Sequence, residues 1–364
     1  MSRVDRVRNR LTDSGADALL ISDLTNICWL TGFTGSNGWV VLGPDQLTLV
    51  TDGRYGEQAA RQLAAAGVVA DVLVGATGAA MQAHLADTTR RYPTTGFEAA
   101  HVSYQQHAIW SAAFGTALAP TEGIVELERR TKDDAEIEAI ATACRIADQA
   151  LAEITPTLGR GLTEAQVRNQ LEIRMRELGA SGPSYETIVA TGPINSALPH
   201  HRPTDTLIEH GHTVIIDVGA LVDGYHSDMT RSFVIGTPTA LQQELYDLVL
   251  AAQVAGVAAV APGLTSKELD AVCRDVITDA GYGDWFTHGT GHGVGLLIHE
   301  DPFVNRAGTA TLQVGDVVTV EPGVYREGFG GIRVEDLVVV TSAGCRVLTS
   351  SPKDSPCLPS PLTT

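Results

Sequence analysis

The chain reads as a mixed α/β protein, α+β in its second part, with two domains. Three observations predict this. Apolar runs of strand length alternate with helical periodicity through residues 1–122. From Thr131 the texture changes to long helices with capping residues. The second part then follows one design twice, an internal repeat of roughly a hundred residues, too long for a solenoid unit. At 364 residues the chain is long for one core and comfortable for two.

Val4, Val7 and Leu11 predict an amphipathic first helix ending near Gly15. Apolar runs at Ala18–Ile21, Trp39–Leu42 and Leu47–Val50 follow, with Gly-Pro-Asp between the last two, which is strand-turn-strand chemistry. Tyr55–Ala66 reads as helix, Val68–Val74 as strand and Ala79–Arg91 as helix; the layer ends around Ala119–Glu122, where Pro120 and Gly123 break the pattern. Trp29, Phe33 and Trp39 read as core side chains. In residues 131–350, Asp133 and Glu136 make a capping box for a helix reaching Ile154. A second helix starts at Gly161-Leu162-Thr163, with Gln166 three residues on, and stops before Gly179. The same design recurs as a long helix Leu241–Val260, then Gly263-Leu264-Thr265 with Glu268 and a stop before Gly281. Each copy reaches a glycine six residues ahead of an acid, Gly211 before Asp217 and Gly315 before Glu321, and each acid is followed by another, Asp228 or Glu335. Residues 342–350 finish the fold, and the Pro- and Ser-rich 351–364 is expected to be a flexible tail.

The net charge of −18 argues against a nucleic-acid partner, since phosphate binding needs a basic surface. The five cysteines are scattered and free of CxxC spacing, as expected of thiols in a reducing cytosol. The start has no apolar core for a signal peptide, and no uncharged run is long enough to span a bilayer. A soluble, cytoplasmic protein without membrane partners is the expectation.

The chemistry concentrates in two stretches. One is VIIDVGALVDGYHSDMTRSF, where Asp217 ends an apolar run and Asp223-Gly224 is a hairpin signal, so Asp217 and Asp228 are expected on paired antiparallel strands. The other runs from His288 to Asp336 and offers His288, His292 and His299, then Glu321, then Arg333 beside Glu335. Singly, such residues are often satisfied core groups or turn caps. Together they are not, because a carboxylate in an apolar run is expensive unless paired or bound to a metal. Four carboxylates (Asp217, Asp228, Glu321, Glu335) and one imidazole (His292) suit two divalent cations. Oxygen-rich ligation favours manganese or cobalt(II) ahead of zinc. No GxSxG elbow is present and no cysteine has an evident histidine partner, which argues against a covalent nucleophile.

The set IDVG, SDMTR, HGTGHGVG, EPGVY and GIRVED resembles the pita-bread metallopeptidases, specifically the Xaa-Pro aminopeptidase and prolidase branch. The amino-terminal TNICWLTGFTGSNGWVV and VTDGRY resemble that branch's creatinase-like accessory domain. The resemblance implies that Asp217 binds one metal, that Asp228 and Glu335 bridge, and that His292 and Glu321 bind the other. A hydroxide shared by the metals would attack the bond before proline, with Glu321 shuttling the proton. His200, rather than His201, and His288 and His299 would donate to the substrate carbonyl, and Arg333 would orient a ligand from the strand face of Glu335. It also implies a homodimer and a peptide substrate with proline second. Chain length and the amino-terminal domain favour the aminopeptidase, whereas a prolidase must hold a free carboxylate, for which Arg306 is a candidate. Methionine aminopeptidases usually lack a domain like residues 1–122, and creatinase-like relatives lack the metal ligands. A non-catalytic binding scaffold is the remaining alternative, against which the complete ligand set argues.

Overall fold

Short, largely apolar runs build the sheet of the amino-terminal unit. The computed structural model describes residues 1–358 and divides into two units, Met1–Arg129 and Arg130–Thr364. In the first, strands β1 (Ala18–Ile21), β2 (Gly38–Leu42), β3 (Leu47–Asp52), β4 (Asp71–Gly75), β5 (Thr94–Glu98) and β6 (Ala117–Thr121) lie in the order β4-β3-β2-β1-β5-β6. β1, β2 and β3 are antiparallel neighbours, whereas β4, β5 and β6 each join a parallel neighbour. Parallel neighbours need crossovers, and the helices Gly56–Ala65, Gly78–Thr89 and Tyr104–Ala113 precede β4, β5 and β6. Trp29 and Phe33 are buried, and Trp39 packs edge-on against buried Trp110, so the tryptophans are core.

Three elements of this unit escape the sequence pattern. The helix Leu24–Thr31 buries residues all round and so shows no amphipathic period. The helix Tyr104–Ala113 buries only Trp110. β5 carries Gly96, which reads as a breaker, but a Cβ there would meet the Thr121 side chain at 2.8 Å. The unit also extends past residue 122, because Glu126–Arg130 is helical and Arg6 and Arg10 pair with its Glu128.

The second unit repeats one half-design. Its first half has helices Asp134–Ile154 and Glu164–Glu177, then three antiparallel strands in the spatial order Thr230–Val234, Thr213–Asp217, Ile188–Thr191. The other half has helices Ala240–Ala259 and Ser266–Asp279, and strands in the order Asp336–Thr341, Val317–Val320, Gly291–Gly293, with one further strand on each flank. The repeat extends to single hydrogen bonds. Ile208 N–H donates to Leu162 O and Leu312 N–H to Leu264 O; Glu164 N–H donates to Thr206 O and Ser266 N–H to Ala310 O. Both second helices carry a full capping box, and Gly211 and Gly315 take the left-handed turn at φ +84° and +92°. Each half has its own core, around Val189 and Ile216 in one and Val318 and Val338 in the other.

Three expectations need correction. The Asp223-Gly224 turn, with φ of +52° and +83°, joins the short strands Ala220–Val222 and Tyr225–His226 of a separate small sheet. Asp217 ends its strand opposite Thr230, and Asp228 lies just ahead of the partner strand instead of on it. Tight folding at Gly219, where a Cβ would meet Ser227 O at 1.9 Å, causes the detour. Arg333 ends the hairpin Gly323–Arg326/Gly330–Arg333, while Glu335 precedes the next strand, so they share no strand. Finally, the flexible tail is tied down through residue 358. Ser351 N–H and Oγ donate to Asp148 at 2.8 and 2.7 Å, Ser351 O accepts from Arg231, and Val234 N–H donates to Pro356 O at 2.8 Å. Residues 359–364 lie outside the described residues. No helix among the described residues is long and apolar enough to cross a membrane.

Arg231 is 1% exposed and donates to Asp336 Oδ1 at 2.8 Å as well as to Ser351 O. Without Arg231, Asp336 is left with Lys353 as its cation, and the carbonyls of Glu335 and Ser351 lose a buried donor. Arg231→Ala therefore lowers stability by about 3–5 kcal/mol. Arg174→Ala, which breaks a surface pair with Glu153, costs no more than about 1 kcal/mol. Denaturant midpoints of the two variants check this.

Candidate metal centre

The four acids reach one place because each half delivers a pair. Asp217 closes the strand Thr213–Asp217 and Asp228 precedes Thr230–Val234; Glu321 follows Val317–Val320 and Glu335 precedes Asp336–Thr341. Oxygens of Asp217, Asp228 and Glu335 all lie within 4.8 Å of one another. His292 Nε2 stands 3.5 Å from Asp228 Oδ2 and 3.5 Å from Glu321 Oε1. The glycines around His292 are required by crowding, since a Cβ at Gly291 would meet Thr319 O at 2.1 Å and one at Gly293 would meet Asp301 O at 2.3 Å. Thr319 Oγ1 then accepts from His292 N–H at 3.0 Å and donates to Glu321 at 3.3 Å.

A cavity of about 540 Å³ opens over this group, and its wall includes the four acids, His200, His288, His292, His299 and Arg333. The electrostatics are unfavourable as they stand. Burial, then the charges of Asp217 and Glu321, push Asp228 well above the usual carboxylate range; burial, then Asp228, does the same to Glu335. Burial pushes Glu321 up to about 8, against the pull of Arg333. Burial lowers His292 to about 4, so its imidazole is neutral near pH 7. Its Nδ1 is 3.1 Å from Gly293 O, which fixes the proton there and leaves Nε2 bare towards two carboxylates. A bare nitrogen facing two carboxylates, beside two more crowded acids, is a donor set that fits divalent cations.

Tyr185 and Thr230, which the sequence reading passed over, hold the acids in place together with Arg333, which it expected to orient a ligand. The Tyr185 hydroxyl donates to both Asp217 and Asp228. Thr230 Oγ1 donates to Glu335 at 2.7 Å. Arg333 is buried and donates to Asp217 Oδ2 at 2.6 Å, to Thr230 Oγ1 at 3.0 Å and to the Tyr325 hydroxyl at 2.7 Å. A signal for Tyr185 existed in the repeat, because it precedes the strand beside Asp217 much as His288 precedes the strand beside Glu321.

The histidines divide. His201 is buried 2.9 Å from Glu164 and belongs to the scaffold, while His200 lines the cavity. His200 and His299 have no ring hydrogen-bond partner among the described residues and are available as donors. His288 is not: Nδ1 sits 2.7 Å from Gly289 O and Nε2 2.9 Å from the Tyr325 hydroxyl. Both nitrogens are spent, so the donor role expected of His288 is replaced by one of positioning Tyr325. Arg306 is exposed in a neighbouring depression and does not line the cavity.

Comparison with known proteins agrees with this architecture. Residues 138–342 match metallopeptidase family M24, and residues 3–130 match the creatinase/prolidase N-terminal domain. The chain is 40% identical to the peptidase YqhT of Bacillus subtilis over 97% of its length and 99% of that protein. An Xaa-Pro dipeptidase from Bacillus anthracis superimposes with a TM-score of 0.94 at 38% identity, covering 98% of this chain and 99% of that one. An X-Pro aminopeptidase from Thermotoga maritima gives 0.88 at 34% identity, covering 98% and 100%. With two mirrored acid pairs, a neutral histidine between them and a creatinase-like domain ahead, the chain belongs to metallopeptidase family M24.

Proposed function

We propose that this metallopeptidase hydrolyses the peptide bond between a first residue and a following proline. The observation that carries the reading is the convergence of Asp217, Asp228, Glu321, Glu335 and His292 on one cavity. Asp217, Asp228, Glu321, Glu335 and His292 would hold a pair of divalent ions; manganese or cobalt(II) would suit the oxygen-rich set better than zinc. When bound, such a pair lowers the pKa of water and polarises a carbonyl. The chain's own residues do the rest. Glu321, on the cavity wall beside His292, takes the proton released on attack and passes it from its carboxyl oxygen to the leaving nitrogen. His200 and His299 donate to the oxygen that gains charge. Arg333 and Tyr185 fix Asp217, so the ligand geometry survives the reaction. Chain length does not separate an aminopeptidase from a dipeptidase, because relatives bearing each name match nearly the whole chain.

Chelation is expected to abolish Xaa-Pro hydrolysis, and manganese or cobalt(II) to restore it, with two ions per chain by elemental analysis. Activity in verified metal-free protein would remove the mechanism, and one ion per chain the dinuclear site.

Ligands and donors separate by mutation. Asp228→Ala or Glu335→Ala loses bound metal together with rate. His200→Ala keeps both ions and loses about 10²–10³ in kcat. Metal content measured alongside kcat decides, and an emptied site in His200→Ala contradicts the assignment.

The crowded acids also set a pH dependence for the chelated protein. Glu321 has a folded value of about 8 against 4.5 unfolded, so its contribution to stability is present below 4.5 and is lost as pH rises through 8. His288 and His292, lowered to about 4 from 6.5, act oppositely, and only below 6.5. Between pH 6.5 and 8 the chelated protein should therefore lose thermal stability, and Glu321→Gln should flatten the loss. A melting series at fixed ionic strength tests this; a flat wild-type profile would contradict the burial argument.

A further inference from the structure

The cavity wall has a guanidinium that the buried acids do not use. Arg333 is fully engaged, with Nε, Nη1 and Nη2 all donating. Arg202 also lines the cavity, two residues beyond His200, with its side chain 80% exposed and Nε 3.4 Å from Glu186 Oε2. Glu186 adjoins Tyr185, whose hydroxyl reaches Asp217 and Asp228, so this ion pair stands on the same wall as the acids but nearer solvent. Exposed pairs of this kind add little to stability. Among the described residues the guanidinium is held by this 3.4 Å ion pair at Nε, which leaves its terminal nitrogens for a ligand.

An Xaa-Pro dipeptide carries a carboxylate on its proline, directly beside the scissile bond, and a longer peptide has a neutral amide there. A planar guanidinium is suited to a carboxylate in two-point contact. We propose that Arg202 binds the carboxylate of the substrate's terminal proline and makes this enzyme prefer dipeptides. Glu186 holds the guanidinium when no substrate is bound, and the incoming carboxylate replaces it. Arg306, in the neighbouring depression, lacks this placement. The assignment rests on the reading of the site as an Xaa-Pro peptidase.

The test compares alanyl-proline with alanyl-prolinamide on the manganese-reconstituted enzyme, since the two share the scissile bond and differ in charge. Wild type prefers the dipeptide. In Arg202→Gln the ratio of kcat/KM for dipeptide to amide falls about 10- to 100-fold, the size of a lost charged hydrogen bond, with the loss carried in KM. Arg202→Lys recovers part of it. Calorimetry gives a second readout, with proline binding wild type more tightly than prolinamide and the difference lost in Arg202→Gln. Glu186→Gln, which frees the guanidinium, retains or strengthens the dipeptide preference. An unchanged ratio in Arg202→Gln, or lost preference in Glu186→Gln, overturns the assignment alone. Failure of wild type to cleave either compound removes the peptidase reading and the assignment with it.

Discussion

Everything in the second unit answers to the mutual repulsion of four carboxylates gathered around one cavity. Water would screen such a cluster on the surface, but here Asp228 and Glu335 are nearly inaccessible. Their basicity rises for that reason, and the protein supplies compensation only in part, through Arg333 to Asp217 and through hydroxyl donors from Tyr185 and Thr230. The remaining imbalance is what selects for cations. An apolar core around the site keeps the imbalance high, so rigidity of the surroundings and affinity for metal have one cause.

The repeat explains how such a costly cluster is assembled, and its differences show which features matter. Both halves must fasten the start of the second helix to the loop that leads to the acid strand. The first half uses Glu164, fully buried, which accepts from Thr191, Asn195, His201 and Thr204. The second has Ser266 at the equivalent place and uses Asp270 instead, paired with Arg274 and accepting from Thr290. The fastening differs while the acid positions do not.

The acids and His292 were legible in the sequence because charge in an apolar strand is expensive, and paying that cost at equivalent places in two repeats is hard to explain without a ligand. Tyr185 and Tyr325 were not, since tyrosine beside a strand is ordinary and only contact reveals what its hydroxyl does. The role of His288 failed for a related reason: sequence gives a residue type, whereas availability of its nitrogens depends on a tyrosine thirty-seven positions away. Helical periodicity located the capped helices of the second unit well, yet missed Leu24–Thr31, where burial on every side erases the signal. The carboxyl-terminal segment was misread because its anchors are mainly backbone atoms, to which composition is blind.

That segment has a consequence for biosynthesis. Asp148 and Arg231 belong to the first half, yet Asp148 accepts from Ser350 and Ser351, and Arg231 from this half donates to Ser351 O and Asp336. A ribosome releases these partners some two hundred residues after Asp148. While the chain is still emerging, the first half holds a buried arginine and a buried aspartate without their counterparts, so it has no complete structure to settle into. The acid cluster thus settles only after residue 351 has emerged, and a chain cut short near residue 350 is defective far from the cut.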